Sequence, residues 1–105
     1  MDYSDKRRYR RLPVLVDCRI EGASGRGETR LTDLTPVGCY VDSNLALTAG
    51  TRVTLVVALG DSEVTLQGRV IPMQGFGGFG VEFVDLDATT SQRLEEYYQQ
   101  KEAAN

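Results

Sequence analysis

The chain has 105 residues, of which 41% are apolar and 26% charged, the size and composition of one soluble globular domain. It contains no histidine, which excludes a histidine-based catalytic triad and leaves no plausible set of zinc ligands. No apolar run approaches the ~18 residues of a membrane span, and the charged N-terminus lacks the apolar centre of a secretory signal. We therefore expect a cytoplasmic protein without membrane insertion.

The charge is divided unevenly along the chain. Residues 1–30 carry eight Lys/Arg against five Asp/Glu, whereas residues 31–105 carry four against ten. The first part therefore has a net charge of +3 and the second a net charge of −6, which together give −3. Bulk nucleic acid requires an extended basic surface, so we expect no nucleic-acid partner. A small anion in a local basic pocket remains compatible with this distribution.

The first half of the chain predicts an arm followed by three strands. Residues 1–11 lack a periodic apolar pattern and are predicted to be a flexible polar arm. Pro13 marks the entry to a strand in which apolar and polar residues alternate. The GASGRG segment at 22–27 predicts a turn before a second strand around 29–33. A short third strand at 39–42 follows the Thr-Pro-Val-Gly turn.

The second half predicts three more strands and one helix. Residues 51–59 and 63–73 are β-rich and flank a Gly-Asp-Ser hairpin turn, and glycine-rich residues 74–80 lead to a strand around 81–84. Six short strands at close spacing predict an all-β fold, a six-stranded antiparallel barrel. Asp87, Thr89 or Thr90 could cap a helix, which predicts a C-terminal helix that starts near residue 88. The predicted single domain, 1–105, comprises the arm at 1–11, the barrel at 12–86 and the helix at 88–102.

The reactive side chains give no indication of catalysis. Cys18 and Cys39 form neither a CxxC pair nor a dense disulfide framework, and are predicted to be reduced, buried and apolar in character. The GFGGFG sequence lacks the Lys-Ser/Thr of a phosphate-binding loop. No nucleophile has a plausible base partner. The sequence predicts a protein that is not an enzyme and that needs no cofactor.

Two short stretches carry the functional signal. KRRYRRLP, residues 6–13, places five basic side chains within six residues. Guanidinium pairs bidentately with phosphate, forks onto guanine O6 and N7, and stacks on bases. Arg7 and Arg11 would span roughly 13 Å in an extended arm, enough to reach two ends of one compact ligand. Taken alone, the run is explained more simply as a solvated basic tail.

The second stretch is DLTPVGC, residues 33–39. The carboxylate of Asp33 could accept hydrogen bonds from guanine N1 and N2, and Thr35 offers a hydroxyl. Gly38 permits a tight turn and a close approach of the backbone to a ligand. Asp, Thr, Pro and Gly are also ordinary turn residues, so this stretch alone is explained equally well by a turn.

Together the two stretches resemble the PilZ domain, the bacterial receptor module for cyclic di-GMP. Its RxxxR motif precedes a Leu-Pro strand entry and is followed about twenty residues later by [D/N]-x-S-x-x-G. Arg7 and Arg11 match the first motif, and Asp33, Thr35 and Gly38 match the second. The likeness continues in GTRVTLVV, LQGRV and GFGVEF and reaches the final helix, so that it covers almost the whole chain.

The resemblance implies an arm that folds over cyclic di-GMP bound on the barrel surface. Arg7 and Arg11 would contact phosphate and stack on or fork to guanine. Asp33 would read a guanine edge, Thr35 would donate from its hydroxyl, and Gly38 would make room. The predicted ligand-binding residues are Arg7, Arg8, Arg11, Asp33, Thr35 and Gly38.

Three positions depart from the family pattern. Thr35 stands where serine is usual, which keeps the hydroxyl but adds a methyl group that restricts χ1. Pro72 stands where many members have an aromatic residue, often tryptophan. Lys6 stands where some members have arginine, which bears on whether one cyclic di-GMP or a stacked pair binds.

The resemblance implies a receptor that transmits the second-messenger level to an unidentified effector protein through ligand-dependent ordering of its arm. The alternative is a PilZ-like adaptor that binds no nucleotide and acts only through protein–protein contacts. A small nucleic-acid-binding barrel is disfavoured by the charge distribution, and an enzyme is the least favoured class. The intact RxxxR motif favours the receptor.

Overall fold

The computed structural model describes residues 12–22, 25–43, 47–71 and 77–104. Six antiparallel strands form a closed barrel in the order β1-β2-β3-β6-β5-β4, with β1 also paired to β4. One helix follows the last strand. The elements are β1 (Leu12–Gly22), β2 (Gly25–Thr35), β3 (Gly38–Asp42), β4 (Arg52–Leu59), β5 (Ser62–Ile71), β6 (Phe79–Val84) and α1 (Ala88–Ala104).

Alternation of apolar and polar residues determines which side of each strand faces the barrel interior. In β4, Val53, Leu55, Val57 and Leu59 are buried, and the residues between them are partly exposed. The residues of β5 alternate in the same way, and its buried residues are paired with residues of β4, for example Leu66 with Leu55. Both strands therefore contribute apolar side chains to one core. The predicted six-stranded antiparallel barrel with a C-terminal helix is confirmed.

The turn between β1 and β2 is shorter than the sequence predicts. A turn over residues 22–27 is wrong, because β1 continues to Gly22 and β2 begins at Gly25. Gly22 is paired with Gly25, and Glu21 with Arg26. A backbone ladder needs no apolar side chains, so the strands extend beyond the core into a segment whose composition is typical of turns.

The helix is capped as its sequence predicts. The Oδ1 atom of Asp87 accepts a hydrogen bond of 2.7 Å from the backbone N–H of Thr90. Leu94 and Tyr98 are buried, and Tyr97 packs against the core, so one side of the helix covers the barrel. Among the described residues, no helix is long and apolar enough to cross a membrane.

Replacing Asp87 with alanine is expected to lower the melting temperature by about 4–8 °C, because the helix loses its N-terminal cap. The hydrogen bond from the Thr90 backbone lowers the pKa of Asp87 below the ordinary 3.8. Since the folded-state pKa is depressed, the stabilisation is present above pH 3.8 and is lost as the pH falls through the lower folded value.

Thermal melts at neutral pH and in acid would test this cap. Asp87→Asn is the matched control, because its amide oxygen can accept the same hydrogen bond but does not titrate in this range. It should melt close to the wild type at neutral pH. An Asp87→Ala variant that melts like the wild type at pH 7 would contradict the capping role.

Candidate functional site

The turn between β2 and β3 is held together by the side chain of Thr35. Thr35 and Gly38 are paired across the turn, with Pro36 and Val37 at its tip. The Oγ1 atom of Thr35 accepts hydrogen bonds from the backbone N–H groups of Val37, at 3.1 Å, and Gly38, at 3.2 Å. The hydroxyl itself donates to the Gly38 carbonyl at 3.3 Å. One side chain therefore fixes three backbone groups of the turn.

Burial makes these hydrogen bonds important for the turn. Thr35 is only 1% exposed, although it is polar. A buried hydroxyl or amide group without a hydrogen-bond partner destabilises the fold. Here the Thr35 hydroxyl and the backbone N–H groups of the turn are hydrogen-bonded to each other. The Val37 carbonyl also accepts a 3.0 Å hydrogen bond from the Phe83 N–H of β6. The turn is thus fixed both internally and to the neighbouring strand.

Asp33 lies on β2 beside this turn, where the strand is irregular. It is paired with Pro13 of β1 and with Tyr40 of β3, and the register shifts on both sides of the strand. Leu31 and Leu34 are both buried and face the barrel interior. In a regular strand one residue separates two inward-facing residues, whereas here two residues separate them. Bulges redirect side chains in this way. Asp33 is consequently half-buried on the barrel wall.

The two cysteines lie in the core near this site and are not nucleophiles. Both are free and buried, as the sequence predicts. Burial raises the pKa of the Cys39 thiol well above 9.0, and the nearby Cys18 and Asp33 raise it further. Burial also raises the pKa of Cys18 to about 12, with partial opposition from Arg19. Both thiols therefore stay protonated at neutral pH and pack as small apolar groups.

Gly38 begins β3 and is buried. It is paired with Glu82 of β6. Its φ is not positive, so the backbone conformation at this position does not by itself require glycine. Among the described glycines, positive φ values occur at Gly50, Gly60, Gly77 and Gly78.

Two exposed ion pairs lie on this part of the barrel, and one of them includes Glu82, the strand partner of Gly38. Glu82 contacts Arg69 of β5 at 3.5 Å, and Arg52 of β4 contacts Asp85 at 3.0 Å. All four side chains are substantially exposed, so these pairs contribute little to stability. Both arginines already have a carboxylate partner. Positive charge for an anionic ligand would therefore have to come mainly from the arm.

The predicted arm residues join the barrel close to Asp33. Because Pro13 is paired with Asp33, the arm enters the barrel beside that carboxylate. Five positions discussed from the sequence lie outside the described residues: Lys6, Arg7, Arg8, Arg11 and Pro72.

The structure places Asp33, Thr35 and Gly38 close together, at the end of β2 and the start of β3: Thr35 and Gly38 are buried, whereas Asp33 is half-buried. It also places Tyr40 beside Asp33, a residue that the sequence did not single out. The alternation of Cys39, Tyr40 and Val41 indicates that Tyr40 faces outward. Its position opposite Asp33 depends on the irregular register, which no local sequence pattern reveals.

A separate depression of about 380 Å³ lies elsewhere on the barrel wall. It contains exposed ion pairs, including Arg19 with Glu63 at 3.6 Å, and residues of both charge signs. This mixture offers no basic pocket for an anion. It is lined by Asp17, Cys18, Arg19, Glu28, Thr29, Arg30, Val56, Ala58 and Glu63.

The barrel, its helix and the motif at the β2–β3 turn agree with the comparison to known families. The model of the PilZ domain matches residues 5–100, so the chain belongs to the PilZ domain family. PilZ domains are receptor and adaptor modules. No curated protein matches the sequence.

Solved structures show the same fold at low sequence identity. The Bacillus subtilis inhibitor of motility, MotI/DgrA, is 15% identical with a TM-score of 0.78; the match covers 90% of this chain and 50% of that protein. This chain thus spans about half the length of MotI/DgrA.

Two isolated PilZ domains match over nearly their whole length. The PilZ domain of Escherichia coli YcgR, solved with cyclic di-GMP, is 16% identical with a TM-score of 0.71, covering 92% of this chain and 93% of that one. The PilZ domain of CeSA from a cellulose-synthesizing bacterium is 20% identical with a TM-score of 0.69, covering 88% and 97%.

Proposed function

We propose that this chain is a cyclic di-GMP receptor that binds the dinucleotide between its N-terminal arm and the β2–β3 turn. The observation that carries the proposal is the pairing of Pro13 with Asp33, which joins the arginine-bearing arm to the barrel beside the second motif. The YcgR domain, which has the same fold, is described with cyclic di-GMP bound. The first motif of the family is present in this chain, and the second is present with Thr35 in place of the usual serine.

Each site residue has a role suited to its chemistry. Arg7, Arg8 and Arg11 supply the positive charge for the two phosphates, and their flat guanidinium groups can stack on the bases. Asp33 accepts from N1 and N2 of one guanine. Thr35 and Gly38 belong to the site through the shape of the turn, since the Thr35 hydroxyl is buried.

The proposed output is a change in the surface presented to a partner protein. An arm that is ordered by the ligand would cover or complete a surface beside β1, and an unidentified effector would bind one of the two states. MotI/DgrA, which has the same fold, is described as an inhibitor of motility. We place the receptor in the cytoplasm, as a protein that requires no cofactor and catalyses no reaction.

Selectivity for guanine is the expected result that tests this proposal. Titration calorimetry of the full chain should give tighter binding for cyclic di-GMP than for cyclic di-AMP, by roughly five- to a hundredfold. Adenine lacks the N2 donor that Asp33 would accept from, and it offers an N6 donor where guanine offers the O6 acceptor.

GTP and cyclic AMP are the controls. They show how much of the affinity a phosphate group or a purine base gives without the cyclic dinucleotide. Equal affinity for the two cyclic dinucleotides would show that Asp33 does not read a base edge. Absence of binding to either of them would favour the alternative, a PilZ adaptor that acts only through protein contacts.

A further inference from the structure

Tyr40 stands on the outer wall of the barrel between the second motif and the glycine-rich hairpin. On one side it is paired with Asp33 of β2, and on the other with Gly80 of β6. Its sequence neighbours Cys39 and Val41 are fully buried, whereas Tyr40 is only partly buried. An aromatic residue therefore lies opposite Asp33 on the neighbouring strand, where paired residues share a face of the sheet.

The orientation of the Tyr40 side chain is fixed by the hairpin before β6. Its hydroxyl donates a hydrogen bond of 2.5 Å to the Gly77 carbonyl. Gly78 has φ +91° and packs so closely that an added Cβ would lie 3.1 Å from Cε2 of Tyr40 and 2.1 Å from the Val41 carbonyl oxygen. Gly77 and Gly78 thus hold this ring in place, and a ring that is already held loses little conformational entropy if it then contacts a ligand.

The hydrogen bond also gives the direction in which the ring leans. Because Gly77 precedes β6 and Asp33 lies on β2, the ring extends away from Asp33 and over the hairpin side of β3. A planar base lying on this ring would direct one edge toward β2. Cross-strand neighbours have Cβ atoms about 4.5–5.5 Å apart, so that edge would lie on the side of β3 where Asp33 is paired.

We propose that Tyr40 is the aromatic platform on which one guanine of cyclic di-GMP stacks while Asp33 accepts from its N1 and N2 groups. This inference rests on the proposed function, because it assigns one base of that ligand to a place on the barrel. The Tyr40 ring is neutral and could stack on any base. The Asp33 carboxylate would provide the selectivity, because it accepts hydrogen bonds from the N1 and N2 groups of guanine.

Binding of cyclic di-GMP by Tyr40 variants tests the platform. Tyr40→Leu should weaken binding by roughly five- to a hundredfold, since it removes the stacking surface. Tyr40→Phe keeps the ring and loses only the hydroxyl, and its affinity should stay within about threefold of the wild type.

Phe79→Leu is the matched control for disturbance of this region. Phe79 is buried inside the barrel and is paired with Val41, the residue after Tyr40. Its replacement removes an aromatic ring from the inner side of the same strand pair. It should lower the melting temperature without changing the affinity for cyclic di-GMP.

The wild-type protein gives a second readout, which does not depend on how well a variant folds. Stacking on a purine should move the ring proton signals of Tyr40 upfield during a titration with cyclic di-GMP, along the same saturation curve as the calorimetric binding. A purely structural tyrosine would show no such upfield shift.

The outcomes separate the platform from the receptor function. If the wild type binds and Tyr40→Leu binds equally well, or if the Tyr40 ring signals do not shift upfield, the platform is wrong and the receptor stands. If the wild type does not bind cyclic di-GMP, both are wrong.

Discussion

Replacing Arg7 or Arg11 with alanine is expected to weaken cyclic di-GMP binding about ten- to a hundredfold and to leave the melting temperature unchanged. Each guanidinium would make charge-assisted, partly desolvated contacts worth about 1.5–3 kcal/mol. Arg52 and Arg69 of the barrel are already paired with carboxylates, so they offer little to replace the lost charge. An exposed charge contributes little to the free energy of unfolding.

Calorimetry and thermal melts of matched variants would check this result. Arg11→Lys should also bind weakly, because an ammonium group can neither fork nor stack as guanidinium does. Arg19→Ala is the control: it removes an exposed arginine that forms an ion pair with Glu63 on the barrel wall. If Arg7→Ala and Arg11→Ala bind as tightly as Arg19→Ala, the arm is only a solvated tail.

Replacing Thr35 with valine is expected to reduce both stability and binding. Valine nearly preserves the shape of the side chain but leaves the N–H groups of Val37 and Gly38 without the acceptor that they have in the wild type. Because the site is buried, we expect the free energy of unfolding to fall by about 1–3 kcal/mol. Cyclic di-GMP affinity should fall with it, since the turn that carries Gly38 loses its internal hydrogen bonds.

Thr35→Ser is the matched control, because it keeps the hydroxyl and removes only a buried methyl group, at a cost of about 1 kcal/mol. Its affinity should be close to that of the wild type. Urea unfolding and calorimetry of both variants distinguish two roles of the hydroxyl. A Thr35→Val variant that keeps its stability but loses binding would show that the hydroxyl contacts the ligand instead of holding the turn.

The strands and the helix were predictable because their signals are local. Apolar and polar side chains alternate along β4 and β5, and a polar turn lies between the two strands. Both signals are visible in consecutive residues of the sequence. The helix begins close to residue 88, where an aspartate provides the cap. These features depend on the period of the strand and on hydrogen bonds over three residues, both of which can be read without knowing the fold.

The shape of the site was only partly predictable because it depends on pairing between strands. The motif identified Asp33, Thr35 and Gly38, but not the burial of the Thr35 hydroxyl. The irregular register around Asp33 involves β1 and β3 together, and it brings Tyr40 beside the carboxylate. Cross-strand register of this kind follows from the closure of the whole barrel.

The division of charge along the chain agrees with the proposed mode of binding. The barrel and helix are acidic overall, and Arg52 and Arg69 of the described barrel are already paired with carboxylates. A doubly negative ligand would therefore be held mainly by the arm. When the ligand dissociates, the arm would be released from the barrel wall. Binding should accordingly weaken as the salt concentration rises.

The most direct test of a receptor site around the β2–β3 turn is to record amide chemical shifts during a titration with cyclic di-GMP. The account predicts saturable shifts at residues 33–40 and 77–80, with accompanying changes in the signals of the arm at residues 1–11. Spectra that stay unchanged at millimolar cyclic di-GMP, or shifts confined to the depression around Asp17 and Arg19, would contradict it.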